Sequence, residues 1–359
     1  MWVVRAVRLE DVEPLAALIR LATRGLTSLQ LDRDRLLDRI EQSVFAFSRT
    51  SPTPWGEPYV LVMADDTSGE IVGTSTVFAK TGGYQPFYTY QISTTEQRCE
   101  SLGVRRRHRR LELLRIHDGP TEIGSLFLRK RVRGQGRGWW LSMARFVLIA
   151  MRPHRFADRV IAEMRGHAKP DGTVPFWEAL AAHFIPVDFA VADTLSTVNK
   201  QFIEELMPHH PIPLELLPPE VRESLGRVHP ETEPALKMLR REGFRQVDQV
   251  DIFDGGPVVS CETHRIAAVR RTRAVTVTEI TDDLGKDPAG PGRGVSGVVP
   301  PENEPGFGPV ILASDRGGFC CVMTHVEEPE PGRVRIRTRD ARILGLETGC
   351  PASLLSRSR

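Results

Sequence analysis

Residues 125–146 read SLFLRKRVRGQGRGWWLSMARF. The apolar run Leu126-Phe127-Leu128 predicts a strand. A basic, glycine-punctuated turn follows, Arg133-Gly134-Gln135-Gly136-Arg137-Gly138, and Leu141, Ala144, Val147 and Leu148 then recur at helical spacing. A strand, a glycine turn and a helix in succession present bare backbone N–H groups to a phosphate. Glycine adopts positive φ without steric cost and lets the backbone approach closely. The helix N-terminus adds partial positive charge, and Arg133 and Arg137 add full charges.

Three ligand readings compete for this stretch. The nucleotide P-loop requires Lys-Ser/Thr after its last glycine, and Trp139-Trp140 stand there instead. The dinucleotide fingerprint spaces its glycines G-x-G-x-x-G, whereas this turn reads G-x-G-x-G. Arg-x-x-Gly-x-Gly after a strand resembles the pyrophosphate loop of the GNAT superfamily of acyl-CoA N-acyltransferases. The structural alternative is a basic surface turn stopped by glycines.

The 359-residue length accommodates two domains, or one large domain with an appendage. With 40% hydrophobic and 26% charged residues the chain reads as soluble and globular, and a net charge of +2 is too small to argue for nucleic acid or a membrane surface. The cysteines (Cys99, Cys261, Cys320, Cys321, Cys350) form no C-x-x-C pair, which predicts reduced thiols and neither a disulfide framework nor a zinc site. Glu10, Asp11 and Glu13 interrupt the window where a signal peptide needs its apolar core, and no run is long enough to span a bilayer. A cytoplasmic protein is expected.

Outward from the glycine turn, the pattern predicts a strand over 2–7 and a helix from Asp11 with Val12, Leu15, Leu18, Ile19 and Ala22 on one face. Gly25 ends that helix, and a second begins at Asp32 with Leu36, Leu37, Ile40, Val44 and Phe47 as its apolar stripe. A proline-rich loop at 50–57 precedes strands at 59–64 and 71–78. Residues 82–120 read as irregular. The aromatic stretch at 82–90 fits either a substrate-side loop or a loop packed on the core. RRRHRR at 105–110 reads as a solvated basic loop, since a nucleic-acid surface would interleave aromatics.

Downstream, a buried strand begins at Val160 and runs into Glu163 and Arg165. Helices are expected at 175–180, 199–207 and 234–242, with a structured proline-dense loop at 208–219, a strand at 244–252 and a sharp turn at 254–257. From about residue 274, short β pieces at 275–280, 310–313, 320–325 and 334–338 alternate with Gly/Pro stretches, which fits a small β domain or a sheet extension. The tail SLLSRSR reads as frayed. The expected division is 1–170, 171–272 and 273–359.

Several separated strings share one resemblance: GLTSL at 25–29, the LFL strand with its glycine loop, AEMRG at 162–166, PFW at 175–177, ELMPHHPI at 205–212, VHPET at 228–232, EGFR at 242–245 and DIFDGGP at 251–257. In this order they are similar to the arginine N-succinyltransferase family, to about residue 270. The resemblance implies an α/β (α+β) fold: a GNAT-like mixed, mostly antiparallel sheet flanked by helices, with a second α/β half and a small β-rich C-terminal domain. It implies transfer of succinyl from succinyl-CoA, a co-substrate and not a bound cofactor, to the α-amine of L-arginine. The family's succinyl-CoA contact falls on Leu126, and its proton donor falls on His229. The donor's binding stretch would then be Leu126, Phe127 and Leu128 with Arg133, Gly134, Gln135, Gly136, Arg137 and Gly138. Assembly from more than one chain, homo- or hetero-oligomeric, is also implied. Residues 91–120 and the loops at 50–57 and 282–309 depart from the family. This leaves ornithine or another cationic amino acid, acetyl-CoA as donor, or a non-catalytic acyl-CoA or amino-acid sensor as alternatives.

An amine attacking a thioester must be neutral, the developing oxyanion needs donors, and the leaving thiolate needs a proton. Backbone N–H groups near 126–128 could hold the carbonyl, and His229 titrates in the range needed to relay the proton. His209 and His210 are its rivals. A substrate guanidinium calls for a carboxylate in bidentate geometry. Glu163, Asp251 and Asp254 are the candidates, with Glu163 first and Asp254 alternatively capping its own turn. Arg165 would hold the substrate carboxylate or pair with Glu163. Cys261 is read as a small apolar residue. No metal-ligand spacing is present in the sequence.

Overall fold

A computed structural model describes residues 1–22, 31–284 and 309–357. GLTSL at 25–29 and nearly all of the 282–309 loop lie outside the described residues. The chain opens with strand β1 (Trp2–Ala6) and helix α1 (Val12–Ile19), then helix α2 (Arg33–Ser48) and the antiparallel strands β2 (Pro58–Asp65) and β3 (Ile71–Phe78). The Asp32 carboxylate caps α2 by accepting the Arg35 N–H at 2.9 Å. Asp11 precedes α1 but spends its carboxylate elsewhere, on the Arg5 guanidinium and the Arg8 N–H.

The stretch expected to be irregular, 82–120, is a long hairpin: β4 (Phe87–Cys99) paired through its whole length with β5 (Val104–Ile116). RRRHRR is therefore a strand segment and not a loop. The Arg105–Glu96 ion pair and a hydrogen bond from Arg110 to Ser93 cross between the two strands, and Arg110 also pairs with Glu112 on its own strand. The aromatic stretch enters β4, where Phe87, Tyr88 and Tyr90 are buried.

Strand β6 (Thr121–Leu128) leads through the glycine turn into α3 (Arg137–Met151), and β7 (Arg159–Glu163) returns. Short helices α4 (Pro175–Ala179), α5 (Phe189–Ser196) and α6 (Gln201–Leu206), strand β8 (Ile212–Pro213) and helix α7 (Pro219–Ser224) follow. Next come α8 (Glu233–Arg241), β9 (Arg245–Val250), β10 (Pro257–Glu262) and α9 (Ala267–Arg271). The C-terminal part supplies β11 (Arg273–Ile280), β12 (Val310–Ser314), β13 (Cys320–Thr324), β14 (Glu327–Glu330), β15 (Arg333–Ile336), α10 (Thr338–Leu344) and β16 (Pro351–Ser356).

The described strands join in one sheet, β14-β15-β11-β16-β12-β13-β1-β2-β3-β6-β7-β10-β9-β4-β5-β8. Its pairs are antiparallel except β6 with β7 and β11 with β15. Of the two readings for the C-terminal β pieces, the sheet extension is the one observed, because β13 pairs with β1. The tail is not frayed through Ser356: β16 lies between β11 and β12 with Leu354 and Leu355 buried.

Both faces of the central sheet are covered, which is why β2 is apolar at nearly every position. Tyr59, Leu61 and Met63 pack against α3, while Val60, Val62 and Ala64 pack against α1 and α2. A separate cluster around Phe176, Trp177 and Phe253 joins α4 to the β4, β5 and β9 end of the sheet. The fold is thus a mixed, mostly antiparallel sheet flanked by helices.

Candidate active site

The site begins where the sheet opens. Strands β6 and β7 pair only at Thr121–Val160 and Glu122–Ile161, although β6 runs on to Leu128. On its other side β6 matches Gly124 to Thr76 and Phe127 to Thr74, so Ser125 and Leu126 bulge opposite Ser75. Ser125 sits at φ 51°, the left-handed region that a non-glycine residue rarely visits. The bulge breaks the regular ladder of β6 next to the point where β6 and β7 part.

A cavity of about 1000 Å³ fills the gap. Leu126 lines it from β6, Glu163 and Arg165 from the end of β7, Arg39 from α2, and Asp251 and Asp254 from the turn after β9. Four of the sequence candidates, Glu163, Arg165, Asp251 and Asp254, thus converge with Leu126, although up to 128 residues separate them.

Two tight glycines make that convergence possible. A Cβ on Gly166 would lie 2.3 Å from the Asp254 carbonyl oxygen, and one on Gly256 would lie 2.0 Å from the Met164 carbonyl oxygen. AEMRG and DIFDGGP are the two halves of one joint. Asp254 closes it by accepting the Gly166 and Gly256 N–H groups, both at 2.7 Å. Asp251 accepts from the Phe253 and Asp254 N–H groups. These two carboxylates are committed to backbone, so Asp254 does cap its own turn.

Glu163 differs. Its Oε1 is buried and has no hydrogen-bond partner. Burial, then Asp251 and Glu122, push its carboxyl well above the usual carboxylate range. Burial and Asp251 push Asp254 up as well, against the pull of its two N–H donors. Burial raises Glu122, opposed by Lys200 and Arg39, and burial with Asp251 raises Asp193 to about 7. The wall is therefore rich in carboxyls that lack enough positive charge to ionise easily. A cation entering it would supply that charge. Arg165 pairs with the exposed Glu231, at 3.5 Å, and not with Glu163.

The glycine loop stands beyond the far end of β6. Gly134, Gln135 and Gly136 have φ of 98°, 50° and 76°, a left-handed run that turns successive N–H groups toward one concave side. The first-turn N–H groups of α3 have no partner inside the helix. The loop does not line the cavity, and neither do Phe127 and Leu128; of the donor stretch only Leu126 does. Arg133 and Arg137 spend donors on the Leu128 and Val132 carbonyl oxygens, which braces the loop. Arg357, which directly follows β16, lies beside this loop, 3.6 Å from where a Cβ on Gly136 would stand, and stacks on Trp139 at 5.4 Å.

His229 caps the 3-10 turn at 230–232. Its Nδ1 accepts the Glu231 N–H, and its backbone N–H donates to the Arg165 carbonyl oxygen at 2.8 Å. The ring is not part of the cavity lining, although Arg165 and Thr232 are. Burial and the nearby Arg165 lower its pKa, so the imidazole is neutral at pH 7. With Nδ1 accepting, the neutral ring carries its proton on Nε2. His209 and His210 are exposed, and His209 bonds the Glu204 carbonyl oxygen of the preceding helix α6. Cys261 is buried and its thiol pushed up, as suits an apolar filler.

The sequence reading missed Glu122, Asp193, Lys200, Arg145 and Arg357. Glu122 could have been found, since a charge inside an apolar strand beside the glycine loop is out of pattern. The others carry no motif and become site residues only through folding. Among the described residues no group of His, Cys, Asp or Glu is gathered as a metal would need, and no described helix is long and apolar enough to cross a membrane.

A family model for the Arginine N-succinyltransferase beta subunit matches residues 2–268. An arginine N-succinyltransferase of Enterobacter sp. (strain 638) is 38% identical over 290 residues, 80% of this chain and 84% of that protein. The arginine N-succinyltransferase of Escherichia coli O6:H1 is similar to the same extent, 38% over 290 residues with 80% and 84% covered. The solved structure of arginine/ornithine succinyltransferase subunit AI from Pseudomonas aeruginosa superposes with a TM-score of 0.85 at 27% identity, covering 100% of this chain and 99% of that one. The parted strands, the glycine loop and the paired AEMRG and DIFDGGP motifs therefore have a family to belong to: this chain is a member of the arginine N-succinyltransferase family of acyl-CoA-dependent N-acyltransferases.

Proposed function

We propose that this chain transfers succinyl from succinyl-CoA to the α-amine of L-arginine inside the cavity at the β6–β7 parting. The observation that carries the acceptor side is the unpaired, buried Oε1 of Glu163 within a wall of proton-holding carboxyls. A guanidinium placed there would meet a carboxylate in bidentate fashion and draw off its proton. The donor's pyrophosphate takes the nest at 134–136 and the N-terminus of α3, with Arg357 adding a cation. The thioester carbonyl then lies at the Ser125–Leu126 bulge, where backbone N–H groups meet the developing oxyanion.

The amine nitrogen attacks the thioester carbon. The C–S bond breaks with its electron pair on sulfur, the nitrogen loses a proton, and the thiolate gains one. His229, neutral and bearing Nε2–H beside Arg165, is the relay for that proton. Arg165, free of Glu163, takes the substrate carboxylate. The five cysteines are all free, as a reducing, cytoplasmic compartment would leave them. The family model is that of a beta subunit, which supports the oligomeric reading; light scattering of the purified chain checks it.

Ornithine is the second reading, since the same acid wall takes a shorter cation, and the Pseudomonas relative is called an arginine/ornithine succinyltransferase. A thiol-release assay crossing succinyl-CoA and acetyl-CoA with arginine, ornithine and lysine decides. Turnover restricted to succinyl-CoA with arginine is expected. CoA binding without thiol release from any pair would overturn the single-chain enzyme reading.

A further inference from the structure

Helix α3 carries a charge that the acceptor chemistry does not use. Arg145 is 3% exposed, among Met143, Ala144, Phe146 and Val147, all fully buried. Its guanidinium donates Nε to the Ser142 carbonyl oxygen at 3.1 Å and Nη2 to Ser142 Oγ at 2.7 Å. Both acceptors are neutral. Among the described residues no carboxylate offsets the burial, which lowers its pKa to about 9. A buried guanidinium without an anion is costly, and a core position that keeps one points to an anion that arrives later.

Arg145 lines the same cavity as Gly124, Ser125 and Leu126 of the bulge and Ala235 and Leu239 of α8. It lies eight residues into the helix past Arg137, about 12 Å along the axis from the phosphate nest. The nest thus leads into the helix that carries Arg145, and the bulge faces the same cavity as Arg145 and the acid wall. A succinyl thioester whose carbonyl sits at the bulge has a second carboxylate two methylenes further on. The acceptor's own carboxylate has other cations beside the acid wall, namely Arg165, Lys200 and Arg39.

The geometry points to Arg145 as the group that holds the free carboxylate of the succinyl donor, and so selects a dicarboxylic acyl-CoA over a simple aliphatic one. This rests on the succinyl-transfer reading and adds the residue that makes the donor choice.

The test compares wild type with Arg145→Met and Arg145→Lys. Donors are succinyl-CoA and butyryl-CoA, which match in length but differ in the terminal carboxylate. Acceptors are arginine and agmatine, which lacks the α-carboxylate. In Arg145→Met, kcat/KM for succinyl-CoA should fall by roughly 100-fold, as when a site built for a polar group loses its partner. Butyryl-CoA should change by no more than about threefold, since it never used the guanidinium. Arg145→Lys should recover part of the donor preference. The melting temperature of unliganded Arg145→Met should stay the same or rise, because an unpaired buried charge is gone; a purely structural arginine would lower it.

Equal losses with both donors would overturn the proposal. So would collapse of the arginine-over-agmatine preference with donor preference intact, which would assign Arg145 to the acceptor. If wild type transfers neither acyl group, the succinyl-transfer reading fails by itself. Calorimetric Kd values for the two donors then decide the Arg145 proposal: a preference for succinyl-CoA that is lost in Arg145→Met supports it, and equal Kd values in wild type overturn it.

Discussion

Glu163→Gln is the substitution that probes the acceptor site most directly. Gln keeps the shape of the side chain and removes its capacity for charge. In the free protein the Glu163 carboxyl holds its proton well above the usual range because of burial, Asp251 and Glu122. At low pH the variant should therefore be as stable as wild type. The sign at higher pH follows from the shift. A carboxyl whose folded pKa is raised stabilises the fold fully below its unfolded pKa, and that contribution is lost as pH rises through the folded pKa. The Gln variant should thus become the more stable protein as pH rises, a divergence that thermal melts across pH 5–9 would reveal. Binding runs the other way. Arginine must draw the proton off Glu163 to form the charged pair, so its affinity in wild type should rise with pH and protons should leave on binding. Hydrogen bonds to a charged group contribute about 1.5–3 kcal/mol, so kcat/KM for arginine should fall roughly 10–150-fold in the variant at pH 8. Calorimetry in two buffers of different ionisation enthalpy measures the released proton, and thiol release measures the rate. Arginine affinity that is flat with pH in wild type, or a variant within twofold of wild-type kcat/KM, would refute the assignment of Glu163 to the guanidinium.

Three further outcomes are expected. His229→Ala should lower kcat by roughly 10²–10⁴-fold while leaving the Kd for succinyl-CoA unchanged; a loss under threefold would remove His229 from the proton path. Arg357→Ala should raise the KM for succinyl-CoA about tenfold through one lost charge-assisted contact, with an effect that fades as salt is added. Gly256→Ala places a methyl 2.0 Å from the Met164 carbonyl oxygen, so denaturant titration should show a loss of about 1–3 kcal/mol or more, accompanied by weaker arginine turnover because the end of β7 moves.

The local elements were legible because each has a local cause. Asp32 caps its helix, the apolar stripe from Leu36 to Ile40 faces β2, and the glycines at 134 and 136 adopt the positive φ that the turn requires. The family strings reached the correct fold and brought Glu163, Arg165, Asp251 and Asp254 to one cavity. The β4–β5 hairpin was hidden. Its outer half is charged on both faces, so it lacks the alternation that marks a strand, and its order comes from a ladder and ion pairs with the strand beside it. The strand in the tail is concealed for a related reason: Leu354 and Leu355 are too short a run to signal a strand until β11 and β12 enclose them.

By itself, the sequence determined the glycine loop, the strand that feeds it and the order of elements around them, since these depend on φ preferences and periodicity within a few residues. Only the tertiary structure decided which carboxylates are free. Asp251, Asp254 and Glu163 look equivalent in the chain, yet the first two are bound by backbone N–H groups and the third is left unpaired. It likewise decided that Arg145 is a buried cation without an anion and that Arg357 lies beside the loop. Ionisation and ligand choice depend on what surrounds a group in space, and those neighbours come from strands and turns far away along the chain.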